Sequence, residues 1–226
     1  MLKLKYFLTN KKSSIAFYIS GFLVLGFAVN TMNASNLGNG AWDTVFINVS
    51  KFFNMNLGIE WVTMGMVSFV VAFIIMAIIL SYRKNLKYLF MIFPIFLVAL
   101  SLDFWNFTLF HDRQADQLIF QIILYIVGIL LLPLGLTMIV KSKFPAYVFD
   151  ELMLMFVKIT KARKITYVRL TIEILGISIG AIFGYLTYYH IDQSFGAVNI
   201  GSFIITILLS PIMAFYFKLF SIDNKS

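Results

Sequence analysis

The residues with the most chemical potential in this chain are Arg169 and Glu173. They stand four apart, so a helix places them on one face. Glu173 falls inside a long apolar run, where an ionisable side chain costs roughly 2.5–3.5 kcal/mol on the insertion scale and usually faces a partner or a wet cavity. Two readings stand. In one, Glu173 is a substrate-binding or coupling carboxylate that exchanges a proton. In the other, the two form a structural ion pair, with Arg169 snorkelling to an interface. A cation placed before its acid gives poor helix support, which favours a tertiary role.

A second set is written twice. Trp42-Asp43 opens an amphipathic stretch, and 107 residues later Phe149-Asp150 opens another. One reading makes Asp43 and Asp150 helix caps, with Trp42 an aromatic at the membrane interface. The other places them at the ends of broken helices beside a site. Asn30 and Asn33 can line a cavity or pack between helices. Pro94 and Pro211 are expected to interrupt two matching helices, and paired interruptions point to a midplane site. Gly176, Gly180 and Gly184 form a small-residue stripe suited to close helix packing. Asp103 is expected at an interface. The binding candidates are therefore Glu173, Arg169, Asp43, Trp42, Asp150, Asn30, Pro94 and Pro211. No metalloprotease, nucleophile-elbow or P-loop pattern occurs, and there is no cysteine. Neither enzymatic activity nor a cofactor or metal is expected.

The elements that must position these residues are membrane helices. Mean hydropathy is +0.90, and charged residues make up 12% of the chain, half the share usual in soluble proteins. Six apolar runs are long enough to span a bilayer, at about 15–34, 61–81, 86–107, 117–140, 167–188 and 198–220. The first follows a basic segment and is read as a retained helix, since no cleavage site follows it. The unit of apolar run, aromatic-Asp, amphipathic helix and two further apolar runs occurs twice, at about 15–107 and 118–220. An odd number of spans per unit turns the second copy over. The expected fold is therefore all-α, a single integral membrane domain over residues 1–226. It consists of two inverted three-helix repeats, each with an amphipathic or re-entrant helix. In the first of these short helices Val45, Phe46, Val49, Phe52 and Phe53 share one face, and Thr44, Asn48 and Lys51 the other.

The net charge of +8 follows from topology. With both termini in the cytoplasm, 16 of the 18 Lys and Arg residues fall on the inner side, leaving Lys51 and Arg113 outside. The inner set is Lys3, Lys5, Lys11, Lys12, Arg83, Lys84, Lys87, Lys141, Lys143, Lys158, Lys161, Arg163, Lys164, Arg169, Lys218 and Lys225. The basic balance thus calls for a lipid bilayer and for no nucleic acid.

On these residues the chain resembles the YitT/YczE-like family of bacterial integral membrane proteins. Leu37-Gly38-Asn39-Gly40-Ala41-Trp42-Asp43 stands where that family has a Leu-Gly-x-x-Pro-Trp-Asp pattern, with Gly58 before the second span. Val168-Arg169-Leu170-Thr171-Ile172-Glu173 matches its Val-Arg-x-x-x-Glu, and Phe195-Gly196 to Ser202 its glycine-rich stretch, ending at Ser210-Pro211. Ala41 and Val148 replace family prolines, and Lys143-Phe144-Pro145 replaces a glycine-rich turn. The resemblance covers nearly the whole chain. It implies architecture and a bacterial plasma-membrane location, and it assigns no activity.

The first expectation is a carrier for a small molecule, working by alternating access. The alternatives are a membrane protein that binds and regulates a partner membrane system, and a substrate-binding subunit of a vitamin importer. The first apolar run has no Ala-x-x-x-Ala docking stripe, which weighs against the importer subunit.

Overall fold

The computed structural model describes residues 2–142, 144–145, 147–161 and 165–222, with side chains from Ser14 to Phe220. Of the basic set, Lys143, Arg163, Lys164 and Lys225 lie outside the described residues, as do the side chains of Lys3, Lys5, Lys11 and Lys12.

The described residues are all-helical, in the order α1 (Leu2–Ser35), α2 (Ala41–Asn56), α3 (Met64–Arg83), α4 (Ile92–Trp105), α5 (Leu118–Lys141), α6 (Val148–Thr160), α7 (Ile165–Asp192) and α8 (Ile200–Ile222). A 3₁₀ segment, Leu86–Met91, leads into α4, and a π turn, Asn106–Phe110, extends it. Six segments are long and apolar enough to cross a membrane: Ser14–Ser35, Met64–Arg83, Leu86–Phe110, Leu118–Lys141, Ile165–Asp192 and Ile200–Phe220. Their outer faces carry exposed Phe, Ile and Leu side chains, such as Phe93, Ile126, Ile174 and Ile207. Such a belt needs a lipid environment, because water would leave far more contiguous apolar surface than soluble proteins tolerate. These are the features of a multi-pass membrane protein.

α1 and α5 cross at the centre, and the crossing depends on missing side chains. A Cβ on Gly21 would lie 2.9 Å from Ile139, and one on Gly128 would strike Met32. α4 packs on α1, and α8 on α5. α2 packs chiefly on α7, and α6 lies against α3 and α7. Phe22, Met32, Phe46, Ile79, Ile95, Leu102, Ile139 and Ile205 fill the core between them.

The first short helix, α2, is not a surface element. α2 runs parallel to α7, with Ala41 beside Gly176, Thr44 beside Gly180 and Asn48 beside Gly184. The glycine stripe is the seat for this helix, since a Cβ at Gly180 would collide with Thr44. The polar side of α2 therefore faces protein. Thr44 and Asn48 are both fully buried. Asn48 Nδ2 donates to the carbonyls of Gly180 (2.8 Å) and Phe195 (3.0 Å), and its Oδ1 accepts from Ala197 N–H (2.9 Å). One side chain thus ties α2 to α7 and to the loop before α8.

The connections gather at two ends. At one, Ala115 N–H bonds Ala34 O, Asn199 bonds Asn36 O, and Lys51 pairs with Asp112 at 2.7 Å. At the other, Tyr18 O–H donates to Pro145 O, and Lys141 Nζ to Phe220 O.

Candidate functional site

A cavity of about 120 Å³ lies inside the bundle, and four charged side chains from three helices line it. α2 brings Asp43, α6 brings Asp150, and α7 brings Arg169 and Glu173. The short helices matter here because both begin at the cavity wall. Asp43 is the third residue of α2, and Asp150 the third residue of α6. The aromatic residue before each meets its counterpart, with Trp42 and Phe149 ring centroids 4.4 Å apart and planes 36° off parallel. Tyr147 completes the aromatic wall, 5.3 Å from Phe149. Thr206 on α8 and Val29 on α1 line the rest with other, mostly apolar side chains.

Neither aspartate is a helix cap. The cap positions belong to Gly40 and Tyr147, and neither makes a side-chain capping hydrogen bond. A carboxylate two residues further in still faces the positive end of its helix, but its oxygens are free for the cavity. Asp43 makes no hydrogen bond or ion pair among the described residues. The indole N–H of Trp42 is likewise buried without a partner. Arg169 Nε lies 3.9 Å from Glu173 Oε1, an ion pair but too long for a hydrogen bond. Glu173 lies eight residues into α7, about 12 Å from its start.

α2 and α6 are not spans, and their acids respond to enclosure. Burial, then the charge of Glu173, pushes the Asp43 carboxyl up to about 7. Burial raises Asp150 as well, opposed by Arg169 and supported by Glu151.

The other sequence candidates sit elsewhere. Asn30 does not line the cavity. Its amide donates to Gly26 O and Leu102 O at 2.9 Å each and staples α1 to α4. Asn33 lines polar pockets at the Lys51–Asp112 end. Pro94 and Pro211 are not matched. Pro94 is the third residue of α4, in a first turn where its missing N–H breaks no bond. Pro211 lies in the middle of α8 on an exposed face. Asp103 accepts from Thr63 O–H (2.7 Å) and Gly65 N–H (2.9 Å), fixing the start of α3. Sequence reasoning missed Tyr147, Thr206 and Asn48. Phe149 was within reach, since it stands 107 residues after Trp42.

Comparison with known proteins gives lineage without chemistry. The chain is 23% identical over 167 residues to the uncharacterized protein YyaS of Bacillus subtilis (strain 168), covering 74% of this chain and 79% of that protein. No solved structure matches the chain. The model of DUF6198, a family of unknown function, matches residues 12–218, and the chain belongs to that family.

Proposed function

We propose that the protein is a carrier for a small molecule, working by alternating access between two inverted halves of a bacterial plasma-membrane protein. The observation that carries this reading is the cavity. It is lined by elements of both halves, and it gathers three carboxylates and a guanidinium where an apolar core would otherwise be expected.

The packing supports the inverted repeat. The helix pairs come in reciprocal sets: α1 with α4 and α5 with α8, α2 with α7 and α6 with α3. The contacts of the central crossing obey the same 107-residue shift as the aspartates. Gly21 meets Gly135 and Ile139, while Gly128 meets Ala28 and Met32. Ser35 Oγ bonds Met32 O and accepts from Leu37 N–H, while Ser142 Oγ bonds Ile139 O and accepts from Phe144 N–H. On this reading α2 and α6 are re-entrant helices whose positive ends meet at the site from opposite sides. The pattern at Trp42-Asp43 and Arg169–Glu173 supports kinship with YitT/YczE-like proteins.

In the orientation proposed, both termini are cytoplasmic. Arg83, Lys84, Lys87, Lys141, Lys158 and Lys161 then lie at the inner end, with Lys51 and Arg113 outside. Glu173 and Arg169 stand on the inner side of the cavity, and the Asn48 tie closes it toward the outside. The reading assigns movement, not catalysis, to the chain.

The test is counterflow. Purified protein is reconstituted into vesicles loaded with a small-molecule extract of cells, and exchanged species are identified by mass spectrometry. At least one molecule should exchange with the native protein and not with Glu173→Gln or empty vesicles. Exchange of nothing by correctly inserted protein would contradict the proposal and leave the partner-regulating reading.

A further inference from the structure

The charges around the cavity do not balance. Asp43, Asp150 and Glu173 face one guanidinium, that of Arg169. The helix starts of α2 and α6 also face the cavity, each worth about half a positive charge. The sum leaves the site with about one net negative charge.

From this we infer that the cavity takes a small monovalent organic cation bearing a hydrogen-bond acceptor. The inference rests on the carrier reading for its biological role, but the binding itself does not depend on movement. Three observations besides the charge count point to such a ligand. Asp43 lines the cavity with no partner among the described residues. Trp42, Phe149 and Tyr147 wall it with tilted rings, a surface that attracts an ammonium group once water is excluded. The buried indole N–H of Trp42, without a partner among the described residues, calls for an acceptor, such as a hydroxyl oxygen on the same molecule. An inorganic cation fits less well. Among the described residues, no three His, Cys, Asp or Glu side chains gather to hold a metal ion. The negative charge is spread along a mostly apolar wall.

Asp43 itself can offset the imbalance when no cation is bound. Asp43, raised by burial and by Glu173, can hold a proton near neutral pH. The titratable and charged groups that share the cavity with it are Glu173 and Arg169 from α7, Asp150 from α6 and Tyr147 just before α6. Entry of one monocation and departure of one proton keeps the total charge unchanged. The site is thereby suited to exchange of an organic cation for a proton.

The test uses one shape in three charge states. Purified protein in detergent is titrated with choline, with its neutral carbon isostere 3,3-dimethyl-1-butanol and with 3,3-dimethylbutanoate, following tryptophan fluorescence and thermal stability. Tetramethylammonium, which lacks the hydroxyl, is the fourth ligand. Choline should bind at least tenfold more tightly than the neutral isostere and several-fold more tightly than tetramethylammonium. The carboxylate should not bind. In weak buffer near pH 7, choline binding should release protons, and Asp43→Asn should abolish that release. Neutral or anionic ligand binding as tightly as choline would overturn the inference. So would failure of both cations to bind more tightly than millimolar in protein that remains folded. The wild-type series alone decides the matter if Asp43→Asn does not fold. Cation binding without counterflow would sink the carrier reading and leave this one. Counterflow of a neutral or anionic molecule would do the reverse.

Discussion

Replacing Asn48 should destabilise the protein more than any other single polar change at the α2–α7 seam. Its side chain makes three hydrogen bonds in a fully buried position, to Gly180 O, Phe195 O and Ala197 N–H. A typical buried bond contributes about 0.5–1.5 kcal/mol net, and an orphaned donor costs about 1–3 kcal/mol. The two carbonyls can keep other partners, whereas the Ala197 N–H is left with none. Asn48→Leu, which keeps the branched four-atom shape though with more bulk, should therefore cost about 2–4 kcal/mol. For a chain of this length that corresponds to a fall of very roughly 4–16 °C in Tm. Asn48→Asp should be worse at neutral pH, because a carboxylate would face two carbonyl oxygens. The assay is thermal unfolding in detergent by intrinsic fluorescence, with native protein and both variants side by side. A Tm for Asn48→Leu within a degree of native would refute the reasoning, since the tie would then carry no stability.

Other expectations follow from the charges and the ends of the bundle. Arg113→Cys should react with an impermeant thiol reagent in intact cells and Lys158→Cys only after lysis; the reverse would invert the topology, and no native cysteine interferes. Because the Asp43 carboxyl is raised in the folded state, the native protein binds more protons than the unfolded chain between about pH 4 and 7. Stability should therefore fall as pH rises through that window, and Asp43→Asn should flatten the slope; an unchanged slope removes Asp43 as its source. If Arg169 and Glu173 are only a structural pair, Glu173→Gln lowers Tm and the double change Arg169→Leu, Glu173→Leu restores it with cellular function intact. The carrier reading expects Glu173→Gln to stay folded and to lose exchange.

Much of the architecture can be read before any coordinates, and the reasons are physical. A span must be about twenty apolar residues long whatever it packs against, so the six runs fall within a few residues of the helices. Asp150, Arg169 and Glu173 are legible because charge in such surroundings is expensive and seeks company. The seating of α2 is harder to see. Thr44, Asn48 and Lys51 share a polar face, which in isolation describes a surface helix, yet Thr44 and Asn48 are buried and only Lys51 pairs outward with Asp112. Only the glycines at 176, 180 and 184, far away in sequence, reveal the groove that receives it. Pro94 and Pro211 mislead for a related reason. A proline in a first turn and one in mid-helix look alike in sequence, and only the second forfeits a backbone bond. Tyr147 and Thr206 are ordinary residues of a loop and a span, and nothing local marks them as cavity wall.

The central claim is that one cavity is reached in turn from both sides of the membrane. Thr206 lines it and carries no charge, so Thr206→Cys offers a reporter in a chain without native cysteine. The measurement is its reaction with an impermeant cationic thiol reagent, applied from outside to intact cells and from the cytoplasmic face in inverted vesicles. Alternating access predicts reaction from both faces, and the cation inference adds that choline at saturating concentration slows both. Reaction from one face only, or from neither while Arg113→Cys and Lys158→Cys report normally, would contradict it.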